Sequence, residues 1–127
     1  MVGRKVRLQL DKAPPHPGEI TLRAEHLTLV DRRGVRLLDD VGLELRAGEI
    51  VGIAGVAGNG QRELSQILTG TRAISSGRIV IDGETVTRAD AAEFVDRGIG
   101  HIPEDRLHSG LAPGLSITVN AVMREYR

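Results

Sequence analysis

The sequence predicts an α/β fold in which an N-terminal antiparallel sheet lies beside an incomplete parallel core. Three observations support this prediction. Apolar and polar residues alternate over residues 20–45, which is typical of half-buried strands. A continuous apolar run from Ile50 to Ala54, typical of a buried parallel strand, precedes a glycine-rich loop and a stretch with helical spacing. Residues 76–86 then have the pattern of a second, shorter hairpin.

The composition is that of an ordinary globular chain. Of the 127 residues, 40% are hydrophobic and 27% are charged, and the formal net charge is zero. Nucleic acid is therefore not expected as the main partner, because phosphate-backbone binding usually needs a basic excess. The absence of cysteine excludes disulfides and cysteine metal sites. The uncharged stretch of residues 50–61 is too short for a membrane-spanning helix, and the N-terminus lacks a signal-peptide pattern.

The N-terminal segment predicts a linker followed by two strands. Three prolines in the stretch KAPPHPG cannot donate ladder hydrogen bonds and push the preceding residues out of the helical region. The apolar positions over residues 20–29 and 35–45 predict two strands that turn at residues 31–34. We therefore assign residues 1–18 to a linker and residues 19–127 to a domain.

The glycine-rich loop, residues 55–62 with the sequence GVAGNGQR, is the main candidate for a functional site. It is followed by Leu64, Ile67 and Leu68 at helical spacing, with Gly70 as the predicted stop. We expect these three side chains to face the core. Between a strand and a helix, the glycines of such a loop let the backbone approach a phosphate, and N–H groups at the start of the helix point at the anion.

The loop departs from the P-loop pattern G-x-x-x-x-G-K-[ST] at its two chemical side chains. Gly55 and Gly60 hold the glycine positions, while Gln61 and Arg62 stand where Lys and Ser or Thr belong. Taken alone, this match is equally compatible with a glycine-rich turn that binds no ligand.

The segments after the loop predict a hairpin and two helices. Asp82 and Gly83 form a strong hairpin signal. Thr87 and Asp90 have capping-box spacing for a helix through Arg97, with a glycine just beyond its end. The last segment predicts a helix capped by Ser116 or Thr118.

A short buried strand is predicted over Ile99 to Ile102, ending at the polar segment PEDR, residues 103–106. Ligand-facing residues of open α/β sheets collect beyond the ends of strands. The polar segment is therefore a second candidate for a functional site.

Four segments of the sequence match a known family. They read LLDDVGLELRAGEIVGIAGVAGNGQRELSQILTG, SSGRIVIDGETV, GIGHIPEDR and GLSITVNAVM. They resemble the ATP-binding subunits of bacterial ABC importers for simple sugars and nucleosides. The resemblance is to the N-terminal part of the second of two fused nucleotide-binding domains, with MVGR as the linker between them. It implies a truncated P-loop NTPase domain of the ABC type, cytoplasmic and peripheral at the inner face of the membrane, whose partners are a companion nucleotide-binding domain and transmembrane permease subunits.

The resemblance implies a site for ATP and Mg²⁺. The residues that it assigns to the nucleotide are those of the loop and one of the polar segment, namely Gly55, Val56, Ala57, Gly58, Asn59, Gly60, Gln61, Arg62 and Glu104. Glu104 stands where the family senses the metal of the nucleotide and contacts the permease, a place often held by Gln. Second domains of such importers often lose the P-loop lysine in a similar way, so we expect nucleotide to bind weakly or without hydrolysis.

The resemblance also implies parts that these 127 residues do not contain. These are a Gly-rich signature, an acidic strand with a catalytic carboxylate, a switch histidine, and an aromatic residue near residues 31–34. Base stacking contributes about 1–3 kcal/mol, so adenine affinity is expected to fall unless Arg32 or Arg33 substitutes as a planar cation. The four histidines lack a catalytic or metal-binding constellation. We therefore assign no catalytic residue and no metal ligand to the chain.

Three other interpretations remain open at the level of sequence. A P-loop kinase or GTPase would share the strand, loop and helix, but it would favour an intact Lys and Ser or Thr. A non-nucleotide interaction module would use the loop only as a tight turn and would dock on a partner ATPase. A non-functional fragment of the same subunit would expose sheet edges and aggregate.

Overall fold

The computed structural model of the chain describes residues 14–86 and 90–123. Its centre is a four-stranded antiparallel sheet with the strand order β2-β1-β3-β4. The sheet and helices have the following bounds: β1 Ile20–Val30, β2 Arg36–Arg46, α1 Gln61–Leu68, β3 Ser76–Ile81, β4 Glu84–Val86, α2 Ala91–Asp96 and α3 Ile117–Val122. The antiparallel portion predicted from apolar alternation is confirmed.

Two β-bulges keep the apolar side chains of the β1–β2 hairpin on one face. The buried positions change parity along β1, being Leu22, Ala24, Leu27 and Leu29. The change falls at His26, whose φ is 52°, where the pairing of β1 with β2 shifts register. Asp40 of β2 has a φ of 53°, and its Oδ1 lies 2.6 Å from Nδ1 of His26. An extra residue in a strand restores the inward direction of the residues that follow it.

The turns between strands follow local sequence signals. After β1, the carboxylate of Asp31 accepts the N–H groups of Val35 at 2.9 Å and of Arg33 at 2.8 Å. These hydrogen bonds, that from Val35 first, hold the pKa of Asp31 below its usual value. Between β3 and β4, Asp82 and Gly83 have φ values of 48° and 83°, as a type I′ turn requires. Both predicted turns are confirmed.

Helices α1 and α2 end in the same way. Each is followed by a glycine in the left-handed region, Gly70 with a φ of 70° and Gly98 with a φ of 83°. One residue beyond each glycine, an N–H bonds the carbonyl five residues earlier at 2.9 Å, which is the Schellman pattern. A Cβ on Gly70 would lie 2.6 Å from the ring of Phe94, so the end of α1 is also fixed by packing. Both predicted helix stops are confirmed.

The start of α2 differs from the predicted capping box. Asp90 is the N-cap, with an extended φ of −139°, and its carboxylate accepts the N–H of Ala92 at 2.9 Å. The helix therefore begins at Ala91, and the prediction of a helix capped at Thr87 is wrong. Asp is itself among the strongest N-cap residues, so the nearer acidic residue starts the helix. Thr87 lies outside the described residues.

Helix α3 begins where the sequence predicts. Ser116 is its N-cap, and the Ser116 hydroxyl accepts the N–H of Val119 at 3.3 Å. The helix is described to Val122, and residues 124–127 lie outside the described part of the chain. Throughout the described ranges, no helix combines the length and the apolar character that crossing a membrane requires.

The two parallel strands predicted from apolar runs are not formed. Residues 50–54 are neither strand nor helix, and Ile50 and Ile53 are 96% and 53% exposed. Residues 99–102 likewise form no strand, and Ile102 is 86% exposed. A strand is stable only where a neighbour takes up its backbone hydrogen bonds, and no segment within residues 14–86 and 90–123 pairs with either run. The prediction of two buried strands is therefore wrong for the described structure.

At the predicted domain boundary, residue 18, the chain is already hydrogen-bonded to the segment that follows β2. The N–H of Gly18 donates to the carbonyl of Ala47 at 2.9 Å, beside the turn that follows β2. Residues 14–18 form neither helix nor strand, and residues 1–13 lie outside the described residues. The division into a linker and a domain at residue 18 stays a prediction.

The core lies between one face of the sheet and helices α1 and α2. From α1, Leu64 and Ile67 are buried and Leu68 packs against them partly buried, which confirms the predicted inward face. The largest fully buried side chains come from helices and strands alike, namely Phe94, Leu27, Ile67 and Ile81.

Replacing Ile67 by alanine is expected to lower the free energy of unfolding by about 2–5 kcal/mol, because it leaves a cavity under α1. Ile67 is 1% exposed, whereas Ile117 is 89% exposed. The matched variant Ile117→Ala is expected to change the free energy by less than about 0.5 kcal/mol. Urea unfolding followed by circular dichroism measures both. Equal losses in the two variants would contradict a core centred on α1.

Candidate functional site

The glycine-rich loop continues into α1 at Gly60, a glycine that packs closely against strand β2. Gly60 is the N-cap of α1 and has a φ of 90° and a ψ of 0°. A Cβ at this position would lie 2.7 Å from the carbonyl oxygen of Leu37 and 2.7 Å from Cδ2 of Leu38. The left-handed backbone and the close approach both require glycine. The sheet therefore determines where the loop ends and the helix begins.

The rest of the loop is a turn covered by the side chain of Gln61. The N–H of Asn59 donates to the carbonyl of Val56 at 3.2 Å, and Gly58 has a φ of 93°. The Nε2 of Gln61 donates to the same carbonyl of Val56 at 3.3 Å, and a Cβ on Gly55 would overlap this amide. The residue in the lysine position is thus folded back over the loop, and its amide group is held by the backbone.

Most backbone N–H groups of residues 57–63 have no acceptor within the described part of the chain. Within residues 14–86 and 90–123, the N–H of Asn59 is the one among residues 57–63 that donates to a backbone carbonyl. The first N–H groups of any helix lack partners within the helix and carry the positive end of its dipole. The segment can therefore accept an anion.

Two clefts adjoin the loop. The loop cleft has a volume of about 570 Å³ and contains most of the predicted nucleotide residues, namely Gly55, Ala57, Gly58, Gly60, Gln61, Arg62 and Glu104. Val56 and Asn59, also predicted from sequence, are not part of its lining, and Val56 is 74% exposed. The structure therefore places Glu104 of the polar segment in the same cleft as the loop.

The neighbouring cleft, with a volume of about 520 Å³, shares three side chains with the loop cleft. Gln61, Arg62 and Glu104 line it as well as the loop cleft. It adds polar residues that the sequence did not single out as ligands, among them Ser65, Gln66, Thr71 and His101. The spacing of residues 61, 62, 65 and 66 places them on one helical face. This row of polar residues was the sequence signal that could have identified the neighbouring cleft.

Asp105 lines the neighbouring cleft, and its carboxylate is hydrogen-bonded within the turn of residues 105–108. Its carboxylate accepts the N–H of His108 at 3.0 Å, the N–H of Leu107 at 3.2 Å and the ring Nδ1 of His108 at 2.9 Å. The pKa of Asp105 is lowered, mainly by the N–H of His108 and in smaller part by the charge of Arg62. Asp105 is therefore a structural carboxylate, and Arg62 is close enough to influence it.

The remaining sequence candidates lie apart from the loop cleft. Arg33 is 85% exposed and its Nε lies 3.4 Å from Asp31, so it is a turn residue on the surface. The exposed His26 and His108 are each paired with a carboxylate. Within the described ranges, no group of three or more His, Cys, Asp and Glu residues is arranged to hold a metal ion.

Comparison with known proteins places these features in a family context. The family model described as ABC transporter matches residues 38–126. This range includes the loop, helices α1 to α3 and every residue that lines the two clefts except Leu37. The chain is 44% identical over 127 residues to the glucose import ATP-binding protein TsgD13 of Haloferax volcanii, covering 100% of the chain and 23% of that protein.

Two further relatives are covered to a similar extent. The guanosine import ATP-binding protein NupO of Bacillus subtilis is 40% identical over 126 residues, covering 99% of the chain and 25% of that protein. The ribose import ATP-binding protein RbsA of Chromobacterium violaceum is 34% identical over 123 residues, covering 97% and 24%. The chain thus spans about a quarter of the length of the curated relatives it matches.

The variant Gly60→Ala is expected to lower the free energy of unfolding by about 1–3 kcal/mol, since alanine is strained at positive φ and its Cβ would clash with β2. The control is Gly52→Ala, where a Cβ would meet nothing within 4 Å. Urea unfolding of the two variants is the measurement. Equal stability of Gly60→Ala and Gly52→Ala would show that the loop does not approach β2 as described.

Asp105 is expected to titrate below the usual aspartate pKa of about 3.9. Because its folded pKa is lowered, its contribution to the stability of the turn is complete above the unfolded pKa and is lost as the pH falls through the folded pKa. His108→Ala keeps the backbone N–H but removes the ring, so the pKa should rise part of the way. Carboxyl carbon NMR measures this, with His26→Ala as the matched control that leaves Asp105 unchanged.

Proposed function

Because the chain belongs to the ABC transporter family, we propose that it forms part of the ATP-binding component of an importer for a sugar or a nucleoside. Its loop of residues 55–62 would bind the phosphates of ATP. The observation that carries this proposal is the junction at Gly60, where a left-handed glycine against β2 starts helix α1 directly behind a loop with available N–H groups. A glycine-rich loop that leads directly into a helix N-terminus is the part of the P-loop layout that holds phosphate.

The nucleotide would bind weakly, because the side chain in the lysine position is neutral. A charge-assisted hydrogen bond contributes about 1.5–3 kcal/mol, against about 0.5–1.5 kcal/mol for a neutral one. The amide of Gln61 also donates to the carbonyl of Val56, and it must leave this acceptor before it can reach a phosphate. Affinity would therefore come mainly from the backbone and from Arg62.

The site would hold nucleotide without hydrolysing it. Glu104 shares both clefts with the cation Arg62. A hydrolytic site instead needs side chains that orient water and a metal ion. The chain would then act as one half of an ATP sandwich with a companion nucleotide-binding domain. It would lie at the inner, cytoplasmic face of the membrane, with the region of Glu104 relaying closure to transmembrane permease subunits.

The variant Gln61→Lys is expected to bind ATP about tenfold more tightly, because it restores a charge-assisted contact to the phosphates. Gln66→Lys is the matched control, since it adds the same charge to α1 but lines only the neighbouring cleft. Isothermal titration calorimetry with ATP, in the presence and absence of Mg²⁺, measures both. Absence of binding at millimolar ATP in either buffer, for the parent chain and for Gln61→Lys, would remove the nucleotide role.

A second candidate function is a non-nucleotide interaction module that docks on a partner ATPase. It is favoured by the exposed apolar segments, in which Ile50 and Ile102 are 96% and 86% exposed. Limited proteolysis separates the two functions. Protection of the loop at Gly58 by ATP would support nucleotide binding, whereas cleavage at an unchanged rate would support the interaction module.

A further inference from the structure

Arg62 stands where a P-loop carries the Ser or Thr hydroxyl that binds Mg²⁺. It is the second residue of α1, and its side chain is exposed. A guanidinium has five N–H donors and no acceptor, and it remains charged throughout the physiological pH range. Arg62 therefore offers no ligand to a divalent cation and repels one.

The carboxylates around Arg62 do not replace the missing hydroxyl. Glu63 lies 3.6 Å from Arg72, and Asp105 accepts hydrogen bonds from its own turn. Of the described residues that line both clefts, Glu104 is the one carboxylate, and it shares both with Arg62. Mg²⁺ bound with a nucleotide takes one or two protein carboxylates besides water and phosphate oxygens, and here the one carboxylate shared by both clefts is accompanied there by a cation that repels the metal. The residues present therefore do not fit Mg²⁺.

The same arrangement suits a polyphosphate. The planar fork of an arginine binds phosphate oxygens in a bidentate manner. Arg62 lies in the first turn of α1, where the helix dipole and the available N–H groups already favour negative charge. Its side chain lines both clefts, so it borders the whole space beside the loop.

Building on the proposed nucleotide role, we infer that this site takes ATP as its metal-free polyphosphate, with the guanidinium of Arg62 in the place of Mg²⁺. Free ATP carries two more negative charges than its magnesium complex, so it is attracted more strongly to Arg62 and to the start of α1. Mg²⁺ competes with Arg62 for the same phosphate oxygens. This differs from the magnesium-bound nucleotide that the sequence resemblance implies.

The test is calorimetric titration of the full chain with ATP, once in excess EDTA and once in excess MgCl₂. The parent chain is expected to bind ATP about tenfold more tightly in EDTA, the equivalent of one charge-assisted hydrogen bond. Arg62→Ser restores the hydroxyl and is expected to reverse this preference. Arg62→Lys keeps the charge without the fork, so it is expected to keep the preference with weaker binding.

Arg78→Ser is the matched control, because Arg78 is an exposed arginine of β3 that pairs with Glu25 and lines neither cleft. It is expected to bind ATP as the parent chain does in both buffers. Circular dichroism of every variant establishes that it is folded, and Arg62→Lys still tests the charge if Arg62→Ser does not fold.

The outcomes distinguish this inference from the proposed function on which it rests. Binding that requires Mg²⁺, or that is tighter with Mg²⁺, overturns the inference and leaves the nucleotide role standing. An unchanged preference in Arg62→Ser overturns the assignment to Arg62. Absence of binding in both buffers overturns the nucleotide role itself.

Discussion

The close approach of Gly60 to strand β2 determines the geometry of the loop and of the helix behind it. A Cβ would lie 2.7 Å from the Leu37 carbonyl, so the backbone at this point lies directly on the sheet. With its origin fixed there, α1 directs Leu64 and Ile67 into the core. The same orientation turns Arg62 toward the clefts. One steric constraint thus couples the stability of the domain to the position of its candidate site.

That constraint depends on a sheet with a continuous apolar face. The bulges at His26 and Asp40 restore the inward direction of the residues after them, so each long strand remains apolar toward α1 along its length. At the other end of α1, Gly70 leaves room for the ring of Phe94, which closes the core from α2. Helix α1 is therefore held at both ends by a glycine against a neighbouring element, and this makes its position independent of the side chains that face the clefts.

The site combines a glycine-rich loop at the start of a helix with side chains that differ from the P-loop pattern. Family membership over residues 38–126 and relatives that import sugars and nucleosides support phosphate binding by the loop. The side chains at the end of the loop differ from those of a hydrolytic P-loop, since Gln61 is tied to the Val56 carbonyl and Arg62 is a cation. Backbone N–H groups can hold a phosphate without a lysine, whereas hydrolysis depends on metal and water that the side chains must position. These features support the proposal that the domain binds nucleotide and contributes to closure without turnover.

The sequence by itself determined the elements whose signals are local. The alternation of β1 and β2, the Asp82–Gly83 turn, the stops at Gly70 and Gly98 and the inward face of α1 all follow from the preferences of neighbouring residues, and all are confirmed. Only the tertiary structure decided the rest. The run from Ile50 to Ala54 forms no strand because strands need a partner at a distance along the chain, and an apolar run carries no information about whether that partner is beside it. The presence of Arg62 and Glu104 in the same clefts was likewise decided by the fold, because residues 42 positions apart share a cleft only when the chain between them is packed.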